Sequence, residues 1–280
     1  MDVRFVPMAE FGLTGGAELL TRAFADYFVT IAFSEEGLGR MAKLDSVEFS
    51  LSPVMILKNE AVGAALIARR GNASRLAGMA LLPHARKQGA GRALMTYLLR
   101  EASERGDARM GLEVIEQNVP AVKLYEAMGF RKIRRLVGFA GAPPEGLEPE
   151  PGLEVVSVQA VAAAVAGMEP AIGWPWQLSA ETVAQLPPPA SGYTLDGASV
   201  LVLNPAGPVV GLRGLAVEGG LRRAERAARL LRAVMARHPA KEWRFSAMWP
   251  EELAVWFERA GLPRQQLTQW QMVREPGREE

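Results

Sequence analysis

Residues 86–92 read Arg-Lys-Gln-Gly-Ala-Gly-Arg, and in the stretch that follows Leu94, Met95, Leu98, Leu99 and Ala102 recur at helical spacing. Basic side chains and two glycines one residue apart therefore stand where a helix begins. A helix N-terminus presents unpaired backbone N–H groups and a partial positive charge. Gly89 and Gly91 keep side chains away from those groups, while Arg86, Lys87 and Arg92 add full charge, so the pattern fits a diphosphate cradle. At this level a solvated glycine turn with incidental basic residues has the same letters. Two other nucleotide loops fail. A P-loop requires Gly-Lys-Ser/Thr, but Gly91 is followed by Arg92 and Ala93, and the dinucleotide fingerprint requires a small residue where Leu94 stands.

The rest of the composition narrows the chemistry. The chain has 280 residues, 49% hydrophobic and 22% charged, with a net charge of +1. That is a globular composition with room for two domains and no pull toward nucleic acid. No apolar run reaches membrane-spanning length, and the charges in MDVRFVPMAE do not suit an export signal, so no membrane partner and a cytoplasmic location are expected. Cysteine is absent and only His84 and His238 are present, which excludes thiolate nucleophiles, zinc–thiolate sites and histidine-rich metal sites. Carboxylates, tyrosine, backbone groups or a borrowed cofactor must do the work, and no metal is expected.

Elements that could position the loop follow from periodicity. VRFVPM reads as a strand, LTGGAELLTRAFADYF as a helix, and SEEGLGRMAKL as a second helix with Ser34 as N-cap. SPVMILKN, AVGAALIARR and RLAGMALL form an antiparallel meander leading into the loop. After the long helix, closed by Gly106, come the strand ARMGLEVI, a short helix VPAVKLYEAMG with Pro120 in its first turn, and the strand FRKIRRLVGFA. The Pro, Gly and Glu of GFAGAPPEGLEPEPGLE mark a linker, placed at 141–153, between domains at 1–140 and 154–280. LYEAMGF (124–130) is echoed by WFERAGL (256–262), each preceded by a strand and a long helix, so the halves read as copies of one unit.

RKQGAG (86–91), after a strand and before a long amphipathic helix, resembles the acyl-CoA pyrophosphate motif of the GNAT superfamily of N-acetyltransferases. The motif pattern, Gln/Arg-x-x-Gly-x-Gly/Ala, is met by Arg86, Gly89 and Gly91, and LEVIEQNVPAVKLYEAMGF (112–130) resembles a second signature of the family. The resemblance covers residues 3–140 well and the second half as a worn copy. It implies an α/β fold (α+β mixed sheet) of two tandem GNAT-like domains, each a mostly antiparallel central sheet flanked by helices. It also implies acetyl-CoA as co-substrate and an amine-bearing small molecule or peptide as acceptor, for a monomer or homodimer. A non-catalytic acyl-CoA sensor of the same fold is the alternative.

Carried onto this sequence, the resemblance assigns the thioester to backbone groups of Met79, Ala80, Leu81 and Leu82, and the diphosphate to Arg86, Lys87, Gln88, Gly89, Ala90, Gly91 and Arg92. Tyr125 takes the position of the acid that serves the leaving thiolate, and Asn118 either contacts coenzyme, opens the following helix, or does both. Tyr27, Phe28 and Phe33 fall where the family builds its acceptor pocket, although core aromatics would read the same way. For the base, Glu113 is the first candidate because Leu112 and Val114 point to the opposite face, with Glu116 and Asp26 as alternatives.

The second half lacks these features. Gly219 and Gly220 are followed by Leu221, Arg222 and Arg223, Phe257 stands in place of the tyrosine, and Pro250 in place of the asparagine. All six tryptophans lie in that half, and GWPWQLS (173–179) reads either as a plug on its own core or as a wall of the acceptor cleft.

Overall fold

The computed structural model describes residues 3–219, 222–238 and 242–275. Its first half runs β1 (Val3–Pro7), α1 (Met8–Phe11), α2 (Leu13–Ala23), α3 (Glu35–Asp45), β2 (Pro53–Leu57), β3 (Glu60–Arg70), β4 (Ala73–Leu81), α4 (Ala90–Glu104), β5 (Arg109–Ile115), α5 (Val119–Ala127) and β6 (Arg131–Gly141). The second half follows as β7 (Glu154–Val156), α6 (Val158–Ile172), α7 (Ala180–Ala184), β8 (Ser191–Leu195), β9 (Ala198–Leu203), β10 (Val209–Val217), α8 (Arg223–Arg237), β11 (Glu242–Pro250), α9 (Ala254–Arg259) and β12 (Gln269–Arg274). Apart from α1, the two halves have the same element order, as expected of copies.

Local chemistry sets the boundaries. Ser34 accepts from the Gly37 N–H and opens α3, and Asn118 accepts from the Ala121 N–H and opens α5. Gly106, at φ +75°, turns the chain after α4. Helix α2 stops at Ala23, short of the periodic pattern, and Arg86 donates to the Ala23 carbonyl at its open end.

The chain folds as two units that interleave in sequence. One holds residues 3–114, 118–133 and 271–275 of the described chain, and the other 115–117 and 134–270. Each takes its last strand from the far half. In the first unit the sheet order is β1-β2-β3-β4-β5-β12, and in the second β6-β11-β10-β9-β8-β7. Met272 on β12 brings its carbonyl to 3.8 Å from the position a Cβ on Gly111 of β5 would occupy. The segment 142–153 contains no strand or helix, as its prolines require. Nevertheless, a simple cut there does not divide the units, because β6 pairs antiparallel with β11 (Phe139 opposite Phe245).

Among the strand pairs whose register is described, all are antiparallel except β4–β5 in the first unit and β10–β11 in the second. These pairs fork. Beside β3, β4 pairs Leu66 with Gly78 but Ile67 with Leu76, so Ala77 is an extra, bulged residue. Pairing of β4 with β5 stops at Leu76–Leu112, immediately before that bulge. A bulge bends and twists its strand, which is the physical cause of the divergence. The copy repeats the device with Arg213 as the extra residue and pairing to β11 that stops at Val210–Trp243.

Candidate active site

The site of the first unit is built on this fork. In an antiparallel ladder alternate residues direct N–H and C=O to the partner strand. The Leu82 N–H donates to the Val62 carbonyl at 2.7 Å, so the N–H groups of Met79 and Leu81 turn away from β3, toward the fork. Of the four residues read from sequence, the ladder thus selects two as donors. Ala77, Gly78, Met79 and Ala80 are half-buried and Leu81 is buried, as is the body of β3.

The copy is closed where the first unit is open. Its equivalent residues, Gly214 to Val217, are buried, with Leu215 at 0% and Val217 at 1% exposure. The Val217 N–H, matching that of Leu81 in register from the bulge, meets the Met168 thioether at 3.0 Å. A short 3₁₀ turn, Trp176–Leu178, packs against both β10 and β11. That contact is the one expected of GWPWQLS as a plug on its own core. Phe257 is fully buried among Phe139, Trp249 and Phe245, with ring centroids 4.6, 4.9 and 5.3 Å away. Gly219 is followed by residues 220 and 221, which lie outside the described residues together with the expectation placed on them.

Beyond β4 of the first unit, the loop turns through Lys87 (φ +60°) and Gly89 (φ +82°) into α4, and no side chain caps that helix. Lys87, Gln88 and Gly89 are exposed and Ala90 is buried. The glycines have separate reasons. Gly89 has a left-handed backbone and open space where a Cβ would point. A Cβ on Gly91 would meet Leu124 Cδ2 at 3.2 Å, with Leu81 and Met79 at 3.8 Å, so Gly91 permits close packing of α4 on its neighbours. Gln88 donates to the His84 carbonyl at 2.8 Å, and Arg92 lies 3.9 Å from the Met128 sulfur.

Arg86 departs from the expectation of a diphosphate ligand. Its guanidinium grips Asp26 through two bonds of 2.5 and 2.8 Å and donates to the Leu81 and Ala23 carbonyls, each at 2.9 Å. The pair holds the Asp26 carboxyl below the usual carboxylate range.

Asn118, Tyr27 and Tyr125 come together. Asn118 caps α5 at 3.4 Å and hydrogen-bonds Tyr27, which partly offsets the upward push of burial on the Tyr27 phenol. Tyr125 is buried, edge-on to Phe130 at 6.0 Å, and burial together with the neighbouring Tyr27 raises its pKa strongly. Its proton is retained throughout the physiological range. Phe28 stacks edge-on against Tyr27 at 5.5 Å and is 51% exposed, while Phe33 packs on Phe24 at 5.6 Å. Tyr27 thus joins the Tyr125 cluster, and Phe33 belongs to the loop's own packing.

Glu113 lies in a buried ion pair with Arg75 on the adjacent strand, at 2.7 Å, with side chains 7% and 6% exposed. Taking up a proton there would leave Arg75 as a buried charge without its counter-ion, so the geometry argues against a base. The alternatives are also engaged: Asp26 by Arg86, and Glu116, in the second unit, by Arg135 at 2.9 Å and Thr268 at 2.7 Å. Sequence reasoning missed the Arg75 partner, although a lone arginine in one apolar strand and a lone glutamate in the next was the available signal. It also missed Arg274, which donates to the Met128 carbonyl just beyond α5. Among the described residues no group of three or more His, Asp or Glu side chains could hold a metal, and no helix is long and apolar enough to cross a membrane.

Residues 18–130 match the acetyltransferase (GNAT) family. A 59-residue stretch is 44% identical to the [ribosomal protein bS18]-alanine N-acetyltransferase of Escherichia coli, covering 20% of this chain. The chain spans 40% of the length of that curated relative. Across the whole chain the fold is similar to a GCN5-related N-acetyltransferase from Sphaerobacter thermophilus (TM-score 0.66, 16% identity, covering 98% of this chain and 95% of that one). It is likewise similar to a tandem GNAT protein from the clavulanic acid biosynthesis pathway (TM-score 0.62, 16% identity, covering 100% of both chains).

Proposed function

We propose, for a chain that belongs over residues 18–130 to the GNAT family of acetyltransferases, that its first unit moves an acetyl group from acetyl-CoA to a primary amine of a small molecule or peptide. The observation that carries this reading is the open fork. Met79 and Leu81 direct N–H groups into it beside an uncapped helix start, while in the copy the counterpart of the half-buried Met79 is fully buried and the N–H of Leu81's counterpart is covered by a thioether.

Each part has a physical role. The first-turn N–H groups of α4, approached over Gly89 and flanked by Lys87 and Arg92, suit a diphosphate. The Met79 and Leu81 N–H groups suit the oxygen that gains negative charge when the amine nitrogen attacks the thioester carbon. As the carbon–sulfur bond breaks, Tyr125 donates a hydrogen bond to the departing thiolate. Burial favours keeping the phenol neutral, so donation without full ionisation is the favoured mode. An ammonium acceptor first gives one proton to water, and the proton that the nitrogen sheds as the amide forms passes through water to the departing thiolate, because the carboxylates first considered for that task are held by arginines. The E. coli relative is named for acetylating an alanine of a ribosomal protein, which keeps a protein amine among the acceptors to be tried.

The test is thiol release from acetyl-CoA with a panel of amines and peptides, for the native chain and Tyr125→Phe, with CoA binding followed by calorimetry. Turnover by the native chain that falls about 10²-fold in the variant, with CoA affinity intact, supports the enzyme. CoA binding without turnover on any acceptor supports the sensor instead.

A further inference from the structure

The segment between α2 and α3, residues 24–34, has no regular structure, yet it carries Tyr27, with Phe28 edge-on against it, to Asn118 at the start of α5. Three ties hold it. At its far end, the Thr21 hydroxyl accepts from the Phe33 N–H at 2.9 Å. In the middle, Tyr27 meets Asn118. At its start, Asp26 is held by both terminal nitrogens of Arg86. The last tie differs in kind, because Arg86 is the first residue of the turn that leads into α4.

The guanidinium of Arg86 is a junction of three pieces. Its Nε donates to Leu81 at the end of the fork strand, Nη2 to Ala23 at the end of α2, and both Nη atoms to Asp26. A planar fork with this many bonds has a fixed orientation, which a lysine could not reproduce. The turn beyond it, Lys87 to Gly89, is exposed and has a left-handed backbone at both ends. Ordering that turn around an anion therefore stiffens a segment whose first side chain is already bolted to Asp26.

We propose that Arg86 and Asp26 are a positioning pair: they transmit order from the coenzyme turn to residues 24–34, so that bound coenzyme prepares the acceptor side. This rests on the reading that the turn at 86–91 takes the CoA diphosphate. Arg86 on this account touches neither substrate. The coupling needs no change of shape, because stiffening one end of a braced segment lowers the cost of ordering the other.

Hydrogen exchange of residues 24–34 with and without CoA, combined with CoA calorimetry, tests the pair in the full chain. In the native protein CoA should slow exchange across the segment by about fivefold or more, the lower range of allosteric coupling. In Asp26→Asn, an exposed position that should fold normally, that protection should vanish while CoA affinity stays within about threefold of native. Arg86→Lys should behave as Asp26→Asn does. Persisting protection in both variants overturns the proposal. So does a tenfold gain in CoA affinity in Asp26→Asn, which would mean that Asp26 competes with phosphate for Arg86. Failure of the native chain to bind CoA at all would instead sink the reading of the site, and the pair with it.

Discussion

Removing the Glu113 carboxylate should unfold the protein more readily and leave its chemistry alone. Glu113 and Arg75 are bonded at 2.7 Å with side chains 7% and 6% exposed. Glu113→Gln keeps the shape but strands the Arg75 guanidinium in a place with little water. Breaking one partner of such a pair costs roughly 3–5 kcal/mol, whereas replacing both by apolar residues of similar size is often neutral. For a domain of ordinary size this lowers the melting temperature by about 10 °C or more. Arg75→Met with Glu113→Leu should recover most of the loss, giving a large coupling energy in a double-mutant cycle. Urea melts supply the stability, and thiol release, measured well below the melting temperature, supplies the activity of the folded fraction. The expected result is a destabilised Glu113→Gln chain with kcat within a few fold of native. A Glu113→Gln chain as stable as native but roughly 10²-fold slower would make Glu113 a general base and refute the reasoning.

Three further outcomes follow from other contacts. Because Arg86 lowers the Asp26 pKa, that pair contributes stability above the ordinary carboxylate range and loses it as pH falls through the depressed value. Urea melts through mildly to strongly acidic pH should show a steeper loss for the native chain than for Asp26→Asn. A Cβ on Gly63 would stand 2.4 Å from Leu81 Cδ2 and 2.5 Å from the Ala80 carbonyl, so Gly63→Ala must push the fork strand outward, with a loss of about 1–3 kcal/mol and reduced turnover. Phe257→Tyr would add a hydroxyl to a fully buried aromatic cluster, and calorimetric melts should show a loss of about 1–3 kcal/mol with no second CoA site gained.

Features set by neighbouring residues were legible in the sequence. Ser34 and Asn118 cap the helices assigned to them, the stripe from Leu94 to Ala102 is buried, and the bounds of β2, β3 and β4 follow the meander. The repeat was legible for the same reason, since element order survives when side chains diverge. What escaped depends on partners far along the chain. Asp26 reaches Arg86 across 60 positions, and Arg75 reaches Glu113 across 38. No periodicity foretells either. The Ala77 bulge is invisible because alanine fits a bulge and a ladder equally well, yet it decides which N–H groups face the fork. The exchange of β6 and β12 between units is equally silent in the letters, because the sheet that a strand joins is set by partners far along the chain.

The claim on which the account depends is that coenzyme is held at the turn before α4 and not at its counterpart. Titration of CoA into the native chain, Gly89→Glu and Gly219→Glu tests it most directly. A carboxylate at position 89 combines backbone strain at φ +82° with repulsion of phosphate, so binding should disappear there and stay native in Gly219→Glu. Native affinity in a folded Gly89→Glu chain, or loss of binding in Gly219→Glu, would contradict it.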